Sequence, residues 1–268
     1  MTSLFAHALA VLGAADPAQK IALSHETARL WRAGALDLTP APPPPERPAR
    51  PSRPELRPPR DMPRRRIGGT AGRVALLHAL AHIELNAIDL AWDLLARFAA
   101  DGKTPRRFID DWVGVANDEA RHFAQLGDRL AALDCPYGAL PAHDGLWQAA
   151  LETADDLLAR LAIVPLVLEA RGLDVTPATA ARLEQAGDEA SASLLEAIYR
   201  DEIGHVAAGW RWFEYGCTAA GYDPVRHFHH LVTTRFKGRL KGPFNAPARR
   251  LAGLPPPLLS PFCTDCAV

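Results

Sequence analysis

Four stretches of this chain repeat apolar residues every three or four positions, the spacing that lines one face of an α-helix. The first runs through Leu77, Leu80, Ile88, Ala91, Leu95 and Phe98, and the second through Phe108, Trp112, Val115, Leu126 and Leu130. The third holds Leu158, Ala162 and Pro165, and the fourth Leu195, Ile198, Gly209 and Trp212. No alternating strand pattern of useful length competes, so the periodicity predicts an all-α fold. Local punctuation sets the ends. Helix one runs from about Ala71 to Ala100, closed by Asp101-Gly102, and helix two from about Pro105 to Leu133, with Thr104 as N-cap. Helix three runs from about Asp144 to Ala170 with Gly172 beyond it, and helix four from about Pro177 to Gly216 behind Thr176. Residues 3–36 read as one or two further helices broken near Asp16-Pro17.

Each apolar stripe is interrupted by a carboxylate at an inward position. The second carries Glu119 and His122, and the fourth Glu202 and His205, each pair three residues apart and therefore on one helix face. Glu84 sits in the first stripe and Glu169 in the third. Burying an ionised glutamate costs several kcal/mol unless it is compensated. A single Glu-x-x-His usually means two polar neighbours on a wet face; a repeat inside two apolar stripes does not. Glu84 precedes Glu119 by 35 residues and Glu169 precedes Glu202 by 33, so each set fits one helical hairpin. Four carboxylates and two neutral imidazoles carry a charge of −4, which two divalent cations cancel. The count favours a dinuclear metal site.

The pattern Glu, Glu-x-x-His, Glu, Glu-x-x-His on four helices resembles the ferritin-like di-iron carboxylate proteins. Asp118-Glu119-Ala120-Arg121-His122 is similar to the fuller signature of that superfamily, in which the preceding acid orients a ligand histidine. The resemblance carries that supporting role onto Asp118 and Asp201. Ile203-Gly204 replaces Ala120-Arg121 in the second copy, so any job of Arg121 has no counterpart there. A narrower resemblance, from about Ala6 through Arg250, is to an uncharacterised bacterial ferritin-like family. It rests on the stretches from His82 to Leu90, from Glu169 to Asp174 and from Lys237 to Asn245.

These resemblances imply a ferritin-like four-helix bundle with additional N- and C-terminal helices and extensions. They imply two Fe ions, with Mn or a mixed Fe/Mn pair compatible with the same oxygen and nitrogen ligands. The leading expectation is an oxygen-dependent oxidase or hydroxylase acting with dioxygen on an unknown substrate. Ferritin-like tRNA hydroxylases share the six-ligand pattern, which brings RNA in as a candidate partner. One alternative is an iron-handling ferroxidase or storage protein; another is a metal-stabilised interaction module. The long arms before and after the bundle suit a monomer or dimer better than a cage.

Composition sharpens the organisation. Residues 40–63 hold eleven prolines, which exclude helix and central strand and predict an extended strap or linker. The expected segments are 1–39 (N-terminal helices packing on the core), 40–66 (Pro/Arg-rich strap), 67–220 (di-metal bundle) and 221–268 (basic extension and tail). The formal net charge of −1 hides a polarity: residues 46–66 contain eight Arg against three acids, and residues 226–250 seven Lys or Arg and no acid. Such segments could approach an RNA backbone. Four cysteines and no export-signal pattern point to a reducing cytoplasm, and the absence of 18 uncharged apolar residues in a row argues against a membrane span.

Several residues have a plain structural reading beside the functional one. Tyr199, one turn before Glu202, is a hydrogen-bonding or redox tyrosine beside the metals, or a core tyrosine. His78 and His82 are poorly aligned with Glu84 and read as packing or surface histidines. Pro165, one turn before Glu169, should bend helix three. Cys263 and Cys266 read as thiols on a tail, and His227, His229 and His230 as a solvated or anion-contacting stretch.

Overall fold

The computed structural model describes residues 2–58, 61–62, 69–100, 102, 104–240 and 242–262. Helices dominate them. Among the described residues, named strand is confined to a parallel pair, β1 (Thr2–Ser3) and β2 (Leu36–Asp37). The chain divides into two compact units, Met1–Gln148 and Ala149–Val268. This grouping differs from the four segments expected from composition, since the N-terminal helices and strap go with the first long hairpin and the C-terminal extension with the second.

The first unit holds α1 (Leu4–Gly13), α2 (Pro17–Arg32), α3 (Gly69–Phe98) and α4 (Arg106–Ala131). The expected break between α1 and α2 is there because Asp16 caps α2, accepting from Gln19 N at 3.0 Å, and Pro17 occupies the first turn. α3 and α4 form the hairpin, with α1 packed on α3 and α2 on α4. Thr104 does not cap α4. Pro105 is the flanking residue, and the Thr104 hydroxyl instead donates to Phe98 O at 3.2 Å, closing the turn from α3. α3 meets the length and composition of a membrane span despite its charged residues, yet 78% of its most apolar window is buried within the protein, which makes it a core helix.

Residues 40–58 lie along this unit as an extended strap. Its backbone is bonded at intervals: Ala49 N donates to Leu12 O at 2.8 Å, Trp147 Nε1 to Glu46 O at 3.0 Å, and Arg57 N to Ala142 O at 2.8 Å. Arg50 reaches from the strap into a buried polar layer, donating to Asn86 Oδ1 at 2.7 Å and lying 3.4 Å from Asp89 Oδ2. In that layer Lys20 donates to Asp89 and to Val11 O, and neither Lys20 nor Asp89 has any exposed surface. Burial pulls the Lys20 amine down and pushes the Asp89 carboxyl up, and each partly offsets the other's shift. The Arg-rich end of the expected strap, residues 63–66, lies outside the described residues.

α5 (Gly145–Glu152) leads into the second unit, which holds α6 (Leu157–Ile163), a π turn (Val164–Glu169), α7 (Ala170–Gln185), α8 (Glu189–Ala219), α9 (Pro224–Arg235), α10 (Ala246–Leu251) and a closing 3₁₀ turn (Pro256–Phe262). The expected third helix therefore needs correction at both ends. Its start is broken at residues 153–156, where Asp156 caps α6 by accepting from Leu158 N and Ala159 N at 2.8 and 3.1 Å. Its end does not come at Gly172: the helical run continues to Gln185, through Pro177. A proline there removes the donor for the carbonyl four residues back. That carbonyl, Leu173 O, accepts instead from Asn245 Nδ2 at 3.0 Å. Helix four accordingly begins at Glu189 behind Asp188, which accepts from Ser191 N at 3.1 Å, and not behind Thr176.

Pro165 produces a π turn in place of a simple bend, closed by Ala170 N donating to Pro165 O, five residues back. α8 fits closely against this turn because position 209 is glycine: a β-carbon there would lie 2.5 Å from Pro165 Cβ. The histidines of α9 are packed more than solvated. His227 stacks on Tyr222 with ring centroids 4.3 Å apart, and His229 Nε2 is bonded to Leu258 O at 3.0 Å, while His230 is exposed. Cys263 and Cys266 lie outside the described residues.

Candidate metal centre

In the first unit the hairpin brings Glu84 of α3 against Glu119 and His122 of α4. Glu84 is 6% exposed, Glu119 1% and His122 not at all. His122 Nδ1 lies 3.3 Å from Glu84 Oε2 and 3.6 Å from Glu119 Oε2. One ligand atom from each of the three falls within 4.8 Å of the others. Burial disfavours an imidazolium here, but the two carboxylates outweigh it and hold the His122 pKa up at about 11. The position thus favours a cation. A divalent ion would use the same negative field and bind the nitrogen in its neutral form.

In the second unit His205 Nδ1 lies 3.3 Å from Glu202 Oε1, again one turn apart on one helix, and both residues are buried. Glu169 is the last residue of the π turn, half-buried, on a segment packed against α8. Each hairpin therefore holds one Glu on its first limb and a Glu-x-x-His pair on its second. π turns of this kind recur at functional sites, because the extra residue re-aims the side chains that follow it.

The expected supporting residues fall in different settings. Asp118 pairs with Arg121 at 2.8 Å, both partly exposed, so Arg121 serves a pair at the rim of α4. Asp201 is half-buried, one residue before Glu202. The Tyr199 hydroxyl accepts from Asn245 Nδ2 at 3.3 Å, which ties α8 to the C-terminal segment.

His78 and His82 are packing residues, as their misalignment with Glu84 suggested, and they are buried. His78 Nε2 accepts from Gly138 N at 2.9 Å and Leu140 N at 3.3 Å. His82 Nε2 lies 3.2 Å from His143 O, which requires a proton on that nitrogen, so Nδ1 is bare and accepts from the Tyr137 hydroxyl at 2.8 Å. Together with Asn86, Asp89 and Asp93 they form a second buried stripe on α3, spaced by four, four, three and four residues. That stripe was legible as a period in the sequence. Arg97 pairs with Asp93 from one turn on along α3, whereas the other partners, Lys20 and Arg50, are remote in the chain and gave no signal.

These features define a helical protein with a buried glutamate–histidine cluster on one hairpin and a second glutamate and Glu-x-x-His pair on the other. The chain belongs to the family described as "Protein of unknown function (DUF455)", whose profile matches residues 13–260. It is 40% identical over 199 residues to an uncharacterized protein of Haemophilus influenzae, an alignment covering 73% of this chain and 69% of that one. No solved structure matches.

Proposed function

We propose that this protein is a ferritin-like dimetal carboxylate protein and acts as an oxygen-dependent oxidase or hydroxylase. The observation that carries the reading is the setting of His122: a buried imidazole between two buried glutamates, on one of two hairpins that repeat the same ligand set. Glu84, Glu119 and His122 would hold one share of two divalent ions, and Glu169, Glu202 and His205 the other. Iron bound there would supply the electrons that reduce dioxygen.

The residues contribute in different ways. Glu119 and Glu202 would each bind together with the histidine one turn on along the same helix face, His122 and His205. Glu84 and Glu169 come from the opposite limb of each hairpin and complete the charge balance. The apolar stripes around these residues would keep bulk water away and strengthen their interactions with a bound ion. Iron is the expected occupant; manganese, alone or paired with iron, suits the same donors.

Metal analysis of anaerobically purified protein tests the proposal. About two metal ions per chain are expected in the wild type, with clear losses in Glu119→Ala and His205→Ala. Less than one ion per chain, unchanged by either substitution, overturns it. Optical spectra recorded while oxygen is admitted then separate an oxygen-activating centre from a structural one.

A further inference from the structure

The second unit contains a network that the ligand set does not explain. Arg249 and Asp174 are a buried ion pair, with side-chain exposures of 3% and 0%. Arg249 holds both carboxylate oxygens, through Nε at 2.9 Å and Nη2 at 2.8 Å. The same Nη2 donates to Ala170 O at 3.3 Å. Asn245 adds three bonds: its backbone N–H to Asp174 Oδ1 at 2.9 Å, and its side-chain amide to Leu173 O at 3.0 Å and the Tyr199 hydroxyl at 3.3 Å. Arg171 donates to Pro243 O at 3.4 Å. Residues 243–249 thus grip residues 170–174, the turn that directly follows Glu169, and touch α8 one turn before Glu202.

This grip falls where the helix is weakest. Between Leu157 and Gln185 the run contains a π turn and an internal proline, each of which interrupts the α-helical ladder. An extra residue in a helix can migrate along it, and moving it past Glu169 would swing that carboxylate by about 100° around the axis. Two contacts oppose such slippage. Upstream, Pro165 is seated against Gly209, where no β-carbon fits. Downstream, Arg249 and Asn245 fasten Ala170, Leu173 and Asp174, including the carbonyl that Pro177 leaves without its helical donor.

We infer that the C-terminal segment Pro243–Arg249 is a clamp that fixes the register of the π turn, and that Asp174 and Arg249 are positioning residues for Glu169. What Glu169 is positioned toward rests on the dimetal reading above. The clamp joins two stretches about seventy residues apart in the sequence, Ala170 to Asp174 and Pro243 to Arg249.

The test uses the full-length chain. Removing one member of a buried pair can unfold a protein, whereas replacing both by apolar residues is commonly tolerated, so the main variant is Asp174→Leu/Arg249→Met, with Arg249→Lys beside it. Two readouts are needed: amide hydrogen exchange over residues 164–170 in metal-free protein, and anaerobic Co(II) titration followed by the visible absorption of the bound ion. The expected result is a folded double variant, by circular dichroism, with exchange over 164–170 accelerated. Its Co(II) affinity should fall by about tenfold, with an altered spectrum and Arg249→Lys intermediate. Should the double variant fail to fold, Arg249→Lys decides by the same readouts. Exchange and Co(II) binding both equal to wild type in a folded variant overturn the clamp. A wild type that takes up no Co(II) overturns the dimetal reading, and the exchange rates then decide the clamp alone.

Discussion

Gly209 meets Pro165 so closely that a β-carbon on the glycine would stand 2.5 Å from Cβ of the proline ring and 2.8 Å from its Cγ. The atoms in the way belong to a rigid ring at the start of the π turn and cannot swing aside. Gly209→Ala should therefore force the two helices apart despite alanine's better helix propensity, destabilising by about 1–3 kcal/mol. Urea unfolding followed by circular dichroism reads this directly. A variant as stable as wild type would show that the two helices are not held in this contact.

Asn245 completes a hydrogen bond that Pro177 makes impossible within its own helix. Asn245→Ala should cost about 1–3 kcal/mol, the range for leaving a buried polar group unsatisfied. Pro177→Ala in the same background restores a backbone donor to Leu173 O and should recover part of the loss. The sign of the coupling in a double-mutant cycle is the decisive quantity. Simple additivity would mean that the amide and the proline are energetically unrelated.

The Lys20–Asp89 pair is buried without any exposed surface on either side chain. Lys20→Met leaves the carboxyl of Asp89 with Arg50 as its remaining cationic neighbour, and the loss should be about 3–5 kcal/mol. Lys20→Met/Asp89→Leu removes both charges and should regain most of that. Thermal melts of the three variants suffice. A single variant as stable as wild type would show that the pair contributes nothing.

His82 links folding to pH. Burial, then the charge of Arg50, depresses its pKa from 6.5 to about 3; the bond to His143 O opposes this, and smaller contributions from His143 and His78 add to it. Between those two values the unfolded chain binds a proton at this site and the folded chain does not, so stability falls as pH drops through 6.5. From pH 7 to pH 5 the contribution lost is about 2 kcal/mol. His82→Gln removes that component, whatever its own cost at pH 7. Urea titrations of both proteins at several pH values should show the wild type losing about 2 kcal/mol more over the interval, and parallel losses would contradict the shift.

Metal binding and folding are coupled if the ligand set is used. Anaerobic Fe(II) or Mn(II) at 100 times its dissociation constant should raise the stability of the wild type by about 2.7 kcal/mol. Glu119→Ala should show a much smaller rise, and a chelator should reverse the gain in the wild type. Melting temperatures that ignore added metal would count against the centre.

How far the sequence could be read depended on the range of the interactions involved. Hydrophobic period, the Asp16-Pro17 break and the six-residue glutamate–histidine pattern rest on spacings within a few residues, and a period on one helix face is visible without knowing the partner. Glu84, Glu119 and His122 were legible for that reason. Their convergence to 3.3 and 3.6 Å belongs to the α3–α4 hairpin. Gly172 and Thr176-Pro177 misled because they are sound local stop signals. A side chain some seventy residues away, Asn245, supplies the bond that lets the helix continue.

The chain alone determined that this would be a helical protein with inward glutamates and histidines repeated on two hairpins, because burial periodicity and charge balance are properties of local sequence. Tertiary structure decided the rest: that the strap inserts Arg50 into a buried polar layer, that Lys20 and Asp89 are paired with no exposed surface, that a π turn ends on Glu169, and that the C-terminal segment grips the turn after it. Each of these joins groups distant in the chain. Their energies come from desolvation and from satisfying orphaned hydrogen-bonding groups, which exist only once the chain has folded.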